Sequence, residues 1–156
     1  MPNATPAIGS TAQVNISPFN QHGVIDIRME GRVIHYQATG PFNTELLDSL
    51  AIAQRDFLLA AKPQGAWVSI ATICISAMTS PDGIARYAAI MAAPKPDFMI
   101  PVATAFVMGP DVEGNIIMAQ HYRKIYRDIR RPFQIFATLP EAQAWVLAQL
   151  PPPAAG

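Results

Sequence analysis

Two hydroxyl groups and a carboxylate stand together at the start of a predicted helix, in the segment Thr79-Ser80-Pro81-Asp82-Gly83. A hydroxyl near the positive end of a helix dipole is a favourable place to carry a phosphate. Ser80 is also a common helix-capping residue, and Pro81 suits the first helical position. We therefore favour Ser80 as an N-cap. Phosphorylation of Ser80 or Thr79, and Asp82 as a permanent negative charge, remain open alternatives.

Five of the eleven Lys and Arg residues fall within the short run 123–131. On a helix, Arg123, Arg127 and either Arg130 or Arg131 would lie along one stripe. Together with Lys124, these cations could bind an acidic partner, a phosphate-bearing ligand or an anionic membrane surface. A solvated helix face is the simpler interpretation. Nucleic acid is not expected as a partner, because the chain is neutral overall and the run has no aromatic platform or Gly-rich RNA motif.

The sequence lacks the usual patterns of catalytic and metal-binding residues. His22, His35 and His121 do not have the spacing of metal ligands, and Cys74 is the only cysteine. We interpret the histidines as surface or structural residues and Cys74 as a small buried thiol. The nine glycines form neither a Walker loop nor a dinucleotide-binding loop. We therefore expect a protein that is not an enzyme and that holds no metal or cofactor.

Methionine and aromatic residues gather around the second predicted helix and its flanking strands. Because methionine adapts to irregular shapes, these residues could line an apolar pocket for a lipid-like or other small apolar ligand. Ordinary core packing is the simpler interpretation. The pocket candidates are Tyr87, Met91, Phe98, Phe106 and Met108.

The composition is that of one compact domain. The chain has 156 residues, of which 51% are hydrophobic and 14% charged, and its formal net charge is zero. These values do not fit a disordered chain or one that coats a polyanion. The single cysteine, and an opening segment without a basic start or an apolar run, predict a cytoplasmic protein. No stretch approaches the roughly 18 apolar residues of a membrane span, so no transmembrane segment is expected.

Hydrophobic periodicity predicts five strands. Alternation of apolar and polar residues predicts a strand over 24–30, and a tight turn leads to an antiparallel strand over 33–39. Strands that are apolar on both faces are predicted over 67–73 and 101–108, and a short strand over 133–137.

Prolines and capping residues predict four helices, because proline gathers at the ends of elements. The helices extend from 43 to near 62, from 80 to before Pro94, over 116–129 and from 138 to about 150. The spacing of Thr138 and Glu141 predicts a capping box at the last of these. The order β-β-α-β-α-β-α-β-α predicts a single mixed α/β sheet with an antiparallel first strand and right-handed crossovers.

This order of elements resembles the STAS fold of bacterial anti-sigma-factor antagonists, in particular the SpoIIAA-like family, which is distantly similar to CRAL-TRIO lipid carriers. The resemblance covers about residues 24–150. It rests on the element order, on the apolar strand that runs into Ser80-Pro81-Asp82-Gly83, and on the closing strand Phe133-Gln134-Ile135-Phe136 with the helix after it. It implies a regulatory or protein-interaction module.

Phosphorylation-switched members of this family carry Asp-Ser-Ser-Gly at that turn and phosphorylate the first serine. Aligned on Gly83, the position of that serine holds Pro81, and the position of the second holds Asp82. Because proline has no hydroxyl, the resemblance implies a module that is not switched by phosphorylation at the usual site. The candidates for a regulatory turn are therefore Thr79, Ser80, Asp82 and Gly83.

The two ends of the chain differ from the rest. Residues 1–23 contain no Lys, Arg, Asp or Glu, which predicts an arm outside the domain of residues 24–150, and residues 151–156 form a Pro-rich tail. The spacing of Val14 and Ile16 predicts a short strand near 11–16 that adds to a sheet edge. An uncovered edge leaves a homodimer as an open alternative.

Three functions remain, which we rank in order. The first is a STAS-like regulatory or interaction module, with a contact surface around the Ser80 turn or the Arg123 helix. The second is a carrier or sensor of a small apolar or lipid-like ligand, with a cavity near Met91, Phe98 and Phe106. The third is an enzyme, which would bring polar groups together near His35, His121 or Asp82.

Overall fold

The structure, a computed structural model, describes residues 8–14 and 23–152. The chain is an α/β protein with four α-helices and one mixed sheet, as predicted, but the sheet has six strands rather than five. The strands are β1 (Ile8–Ser10), β2 (Val24–Glu30), β3 (Val33–Thr39), β4 (Val68–Cys74), β5 (Thr104–Val107) and β6 (Phe133–Phe136). The helices are α1 (Thr44–Ala61), α2 (Pro81–Ala92), α3 (Asn115–Asp128) and α4 (Leu139–Gln149), and short 3-10 turns occur at Thr11–Gln13 and Asp97–Met99.

The additional strand, β1, comes from the N-terminal arm. It pairs antiparallel with β2, with Ile8 opposite Arg28. The strand predicted near 11–16 is therefore misplaced, because Thr11–Gln13 form a 3-10 turn; residues 15 and 16 lie outside the described residues. Hydrogen bonds of two side chains explain why a 3-10 turn forms here instead of a strand, because such bonds compete with the backbone hydrogen bonds of a sheet. Ser10 accepts a hydrogen bond from the Ala12 N–H at 3.2 Å, and Thr11 accepts one from the Ile25 N–H at 2.9 Å.

The strands lie across the sheet in chain order, from β1 to β6. The pairs β1–β2 and β2–β3 are antiparallel, and every later pair is parallel. Three crossovers that each advance by one strand in the same direction place α1, α2 and α3 on the same face of the sheet, where residues of all three helices share one buried cluster. The last helix, α4, covers the opposite face, where it packs against β4 and β5.

Three buried apolar clusters result from this arrangement. The largest lies under the three-helix face and includes Leu46, Leu50, Met91 and Phe106. A second packs around Trp67 and the last turns of α1. The third lies under α4, where Val146 packs with residues of β4 and β5. Both strands are thus covered on both faces, which explains their continuous apolar sequences. The observed β5 is shorter than the predicted 101–108, because its ladder with β6 pairs only Thr104–Val107 with Phe133–Phe136.

Two of the three predicted helix caps are present in the structure. Asn43 accepts a hydrogen bond from the Leu46 N–H at 3.0 Å, and Ser80 accepts one from the Gly83 N–H at 3.1 Å, so both are N-caps. The capping box predicted at Thr138 is wrong, because its side chain makes no capping bond. Its hydroxyl instead donates to the carboxylate of Glu141 at 2.6 Å, the stronger bond that a charged acceptor offers.

Candidate functional site

The segment that follows β4 is hydrogen-bonded to the loop before α3. The backbone N–H of Glu113 donates to the carbonyl of Ile75 at 2.9 Å, and the N–H of Ala77 donates to the carbonyl of Glu113 at 2.8 Å. The Ser76 hydroxyl adds a bond of 2.7 Å to the Glu113 carboxylate. These bonds fix the turn through its backbone and one buried serine, so exposed side chains on the turn are held in place without packing of their own.

Ile75 occupies an unfavourable conformation within this turn. Its φ of 68° lies in the left-handed region, which a β-branched residue rarely adopts. That conformation costs about 1–2 kcal/mol for an L-residue. The side chain is nevertheless 70% exposed, so packing within the described chain does not offset the strain. Strained residues of this kind are concentrated at ligand clamps and switch regions.

Four exposed apolar side chains lie on the two segments that are joined at this end of the sheet. Ile75 and Met78 belong to the turn after β4, and Ile116 and Ile117 belong to the first turn of α3. The most exposed is Ile116, at 82%. Met78 packs over Gly114, where a Cβ would overlap its sulfur, and this contact joins the two pairs. We call these four residues the apolar edge patch.

Carboxylates accompany the apolar edge patch. Asp82 lies in the first turn of α2, and Asp111 and Glu113 lie in the loop before α3; all three are exposed. Among the described residues, none of the three forms an ion pair with Lys, Arg or His. We call them the acidic rim. An apolar centre with an unpaired acidic border is typical of an interaction surface rather than of a core.

The four residues predicted for a regulatory turn lie at the same end of the sheet. Thr79 is buried, and its hydroxyl donates to the Ala77 carbonyl at 3.1 Å, so it is not presented to a kinase. Ser80 is exposed and caps α2, and Asp82 is exposed beside it. A Cβ at Gly83 would lie 2.8 Å from Thr79 Cγ2, which explains a glycine at this position.

The five cations predicted to form a binding surface do not lie together on one face of α3. Arg123 and Arg127 are exposed on α3, and neither has an ion-pair partner among the described residues. Lys124 is paired with Asp128 at 2.6 Å. The helix ends at Asp128, and Arg130 adopts a left-handed φ of 58° that turns the chain. Arg131, beyond this turn, lines the cavity described next.

A cavity of about 80 Å³ lies between the sheet and the three helices α1, α2 and α3. It runs from Thr79, after the carboxyl end of β4, to Arg131, before the amino end of β6. Most of its wall is apolar, and Ile25, Leu47 and Ile84 are examples. All four tyrosines of the chain line it, and we therefore call it the tyrosine cavity: Tyr36, Tyr87, Tyr122 and Tyr126.

Three of the four tyrosine hydroxyls have hydrogen-bond partners. Those of Tyr87 and Tyr126 are 2.5 Å apart, and that of Tyr122 donates to the Ala77 carbonyl at 2.7 Å. The Tyr36 hydroxyl makes no hydrogen bond to any part of the chain that the structure describes. Burial raises the pKa of Tyr122 to about 12 and raises the pKa of each of the other three. All four phenols are therefore neutral at physiological pH.

Arg131 contributes a positive charge to the tyrosine cavity. It opposes the effect of burial by lowering the pKa of Tyr36, Tyr87 and Tyr126, so its charge acts on three of the four hydroxyls. Its guanidinium carbon lies 5.8 Å from the centre of the Tyr126 ring, within the range of a cation–π contact. Within residues 8–14 and 23–152, no carboxylate pairs with it.

Of the five residues predicted to line a pocket, Tyr87, Met91 and Phe106 do line this cavity. Met108 is buried in the same core, but it follows β5 and does not reach the cavity wall. Phe98 is 40% exposed in the 3-10 turn Asp97–Met99, where its carbonyl accepts a hydrogen bond from Trp67.

The sequence interpretation missed Tyr36, Tyr122 and Tyr126 as cavity residues and assigned Arg131 to a surface. Strand alternation places Tyr36 on the same face as Ile34 and Ala38, and a spacing of four places Tyr122 and Tyr126 on one side of α3. These patterns indicate which face a side chain occupies. They do not indicate that the helices and the sheet leave a cavity between them.

The residues that could have marked an enzyme are kept apart. His35 is buried in β3 on the face opposite to Tyr36, and His121 lies on α3. Burial, and to a smaller extent the charge of Arg28, lowers the pKa of His35. Cys74 accepts a hydrogen bond from Gln37 at 2.9 Å. The described residues contain no group of three or more His, Cys, Asp or Glu side chains placed to hold a metal ion.

No protein-family model, curated protein or solved structure matches the chain. Within the ranges 8–14 and 23–152, no helix combines the length and the apolarity that crossing a membrane requires.

Proposed function

We propose that the chain is a non-enzymatic, STAS-like regulatory module that binds a partner protein through the apolar edge patch. Ile75 is the observation that carries the proposal. The backbone of this β-branched residue is held in the left-handed region by hydrogen bonds of the turn. Its side chain is nevertheless 70% exposed. A partner that buries Ile75 would supply the packing that is missing in the free chain.

The surroundings of the patch indicate the chemistry of the partner. Asp82, Asp111 and Glu113 border the patch without cationic partners among the described residues. A protein segment with apolar side chains flanked by Lys or Arg would match both the patch and its acidic rim. Because Pro81 occupies the position of the usual phosphorylated serine, we propose that binding is not controlled by phosphorylation there.

The proposal can be tested by quantitative affinity purification from the cells that contain the protein. Ile75→Ser combined with Ile116→Ser removes the centre of the patch. The matched control is Leu147→Ser, which removes an apolar residue that is 51% exposed on α4, on the other face of the sheet. We expect a partner that is retained by the wild type and by the control and is lost, by about 10-fold or more, with the double variant.

The retained partner is then identified and its binding segment is synthesised, so that binding can be measured directly by fluorescence anisotropy. Neutralising the basic flanks of that peptide should weaken binding most at low salt. Equal retention of the same proteins by the wild type and the double variant would refute the proposal. If light scattering shows a dimer that dissociates with Ile116→Ser, the partner is a second copy of this chain rather than another protein.

A second candidate function is the carriage or sensing of a small ligand, which the tyrosine cavity favours. Its wall is mainly apolar, and three of the predicted pocket residues, Tyr87, Met91 and Phe106, belong to it. Native mass spectrometry of protein purified without detergent tests this candidate. A stoichiometric adduct that is released on denaturation would support it, and a clean unliganded spectrum would count against it.

A further inference from the structure

The charge balance of the tyrosine cavity is uneven. Arg131 lines the cavity and has no carboxylate partner among the described residues, and no Asp or Glu side chain is part of the wall. A second cation, Lys95, is close enough for Arg131 to lower its pKa. Its ammonium group donates to the carbonyls of Met91 and Ala93 at the end of α2. A half-buried guanidinium without a counter-ion is costly, so this region favours an anion.

An unused hydrogen-bond donor lies in the same cavity. Tyr36 projects from the middle of β3 toward α1 and α2, and burial raises the pKa of its hydroxyl. The hydroxyl has no partner within the described chain, whereas Tyr87 and Tyr126 satisfy each other at 2.5 Å. Because buried polar groups are normally paired, a donor without a partner and an unpaired cation in the wall of the same cavity indicate a missing acceptor.

The size of the cavity limits the ligand. Its volume of about 80 Å³ is several times the roughly 10–15 Å³ that one water needs and about half of the ~150 Å³ engineered cavity that binds benzene. It therefore has room for a short apolar body, with the charged end of the ligand beside Arg131. Ile25, Leu47 and Ile84 provide the apolar contacts.

We propose that the tyrosine cavity binds a small organic monocarboxylate. The carboxylate pairs with the guanidinium of Arg131 and accepts a hydrogen bond from the hydroxyl of Tyr36, and the apolar body lies against the sheet. An arginine offers two parallel N–H donors to a carboxylate, a geometry that a neutral ligand cannot use in the same way. This inference rests on the second candidate function, the carriage or sensing of a small ligand. It specifies that the ligand is an amphipathic anion and not a purely apolar molecule.

Isothermal titration calorimetry tests the inference with two pairs of compounds of matched shape. Isovalerate and butyrate carry the negative charge, and isovaleramide and butyramide are their neutral counterparts. We expect saturable binding of at least one acid and binding of its amide that is weaker by about 10-fold or more. Arg131→Gln should weaken binding of that acid by about 10- to 100-fold, and Tyr36→Phe by about 10-fold.

Arg127→Gln is the matched control, because Arg127 is an exposed cation of the same helix region that does not line the cavity. It should leave the affinity unchanged within about two-fold. Chemical denaturation of Arg131→Gln provides a check on folding. The variant loses both an unpaired, half-buried charge and a cation–π contact with Tyr126, so we expect the stability to change little and loss of binding not to be explained by unfolding.

The possible results separate this inference from the candidate function on which it rests. An amide that binds as tightly as its acid, or an Arg131→Gln variant that retains the affinity, overturns the inference but leaves the carrier function standing. Absence of saturable binding by both acids also overturns it. The carrier function fails separately if native mass spectrometry finds no releasable adduct.

Discussion

The apolar edge patch and the tyrosine cavity differ in what holds their side chains. In the patch, hydrogen bonds with Glu113 fix the backbone around Ile75, while the side chain of Ile75 is exposed. In the cavity, the side chains fix one another. Phe106 lies in edge contact with Tyr122 and Tyr126 at ring-centre distances of 5.2 and 5.7 Å. Side chains of the patch can therefore change at little cost in stability, whereas truncation of the aromatic rings that pack together around the cavity lowers the free energy of unfolding.

The two regions are nevertheless built from the same elements. Both α2 and α3 begin beside the patch and carry cavity residues farther along, Tyr87 on α2 and Tyr126 on α3. Tyr122 connects the regions directly, because its ring lines the cavity and its hydroxyl donates to the backbone of the turn at Ala77. Exposure, and not position along an element, therefore separates residues available for recognition from residues needed for stability.

The largest difference between the two regions is expected at alkaline pH. Burial raises the pKa of all four cavity tyrosines above their ordinary value of 10, to about 12 for Tyr122. Above about pH 10 the unfolded chain therefore binds fewer protons than the folded chain, so the free energy of unfolding falls as the pH rises. Below that pH the four tyrosines do not make the free energy of unfolding depend on pH.

Urea denaturation at a series of alkaline pH values measures the free energy of unfolding, and the ultraviolet absorbance of phenolate follows ionisation. We expect phenolate to form together with unfolding. Tyr36→Phe should reduce the loss of stability with pH. Phenolate formation near pH 10 in a chain that remains folded would show that burial does not raise the pKa of these tyrosines.

The stability cost of removing a phenylalanine ring should be much larger in the cavity wall than on the surface. Phe106→Ala should lower the free energy of unfolding by about 3–5 kcal/mol, because it removes a buried ring that packs against three other aromatic rings. Phe98→Ala is the matched control, since Phe98 is 40% exposed, and it should cost less than about 1 kcal/mol. Urea denaturation measures both. Equal costs would mean that the cavity wall is not part of the stabilising core.

A smaller effect with the opposite sign is expected in the patch. Ile75→Asn should raise the free energy of unfolding by about 1 kcal/mol, because asparagine tolerates the left-handed conformation better than a β-branched residue does. The same change should weaken partner binding. Ile116→Asn is the control, since residue 116 is exposed in a helical conformation and has no such strain to lose. An Ile75→Asn variant that is less stable than the wild type would contradict the strain assigned to this turn.

Much of the fold could be predicted because its elements are marked by local chemistry. Alternation marks β2, the apolar sequence marks β4, and Ser80 and Pro81 mark the start of α2 where the structure has it. The sixth strand could not be placed from the same signals. The end of β1 depends on bonds that Thr11 makes to Ile25, which is distant in the sequence.

The candidate site was less predictable, because it depends on tertiary geometry. Helical spacing extended the cationic stripe of α3 to Arg131, but the helix ends at Asp128 and the left-handed Arg130 redirects the chain. Ile75 gave no signal, since its importance comes from its backbone conformation and not from its residue type. The cavity itself is a space that three helices leave over the sheet, and no residue pattern records such a space.

The order of strands has a consequence for synthesis of the chain. Each strand pairs with the strand that immediately precedes it in the sequence, from β1 to β6. During translation, every newly emerged strand therefore finds its partner already present, and the sheet can grow from one edge in the order in which residues leave the ribosome. Only α4, the last helix to appear, is then needed to cover the exposed apolar face of β4 and β5.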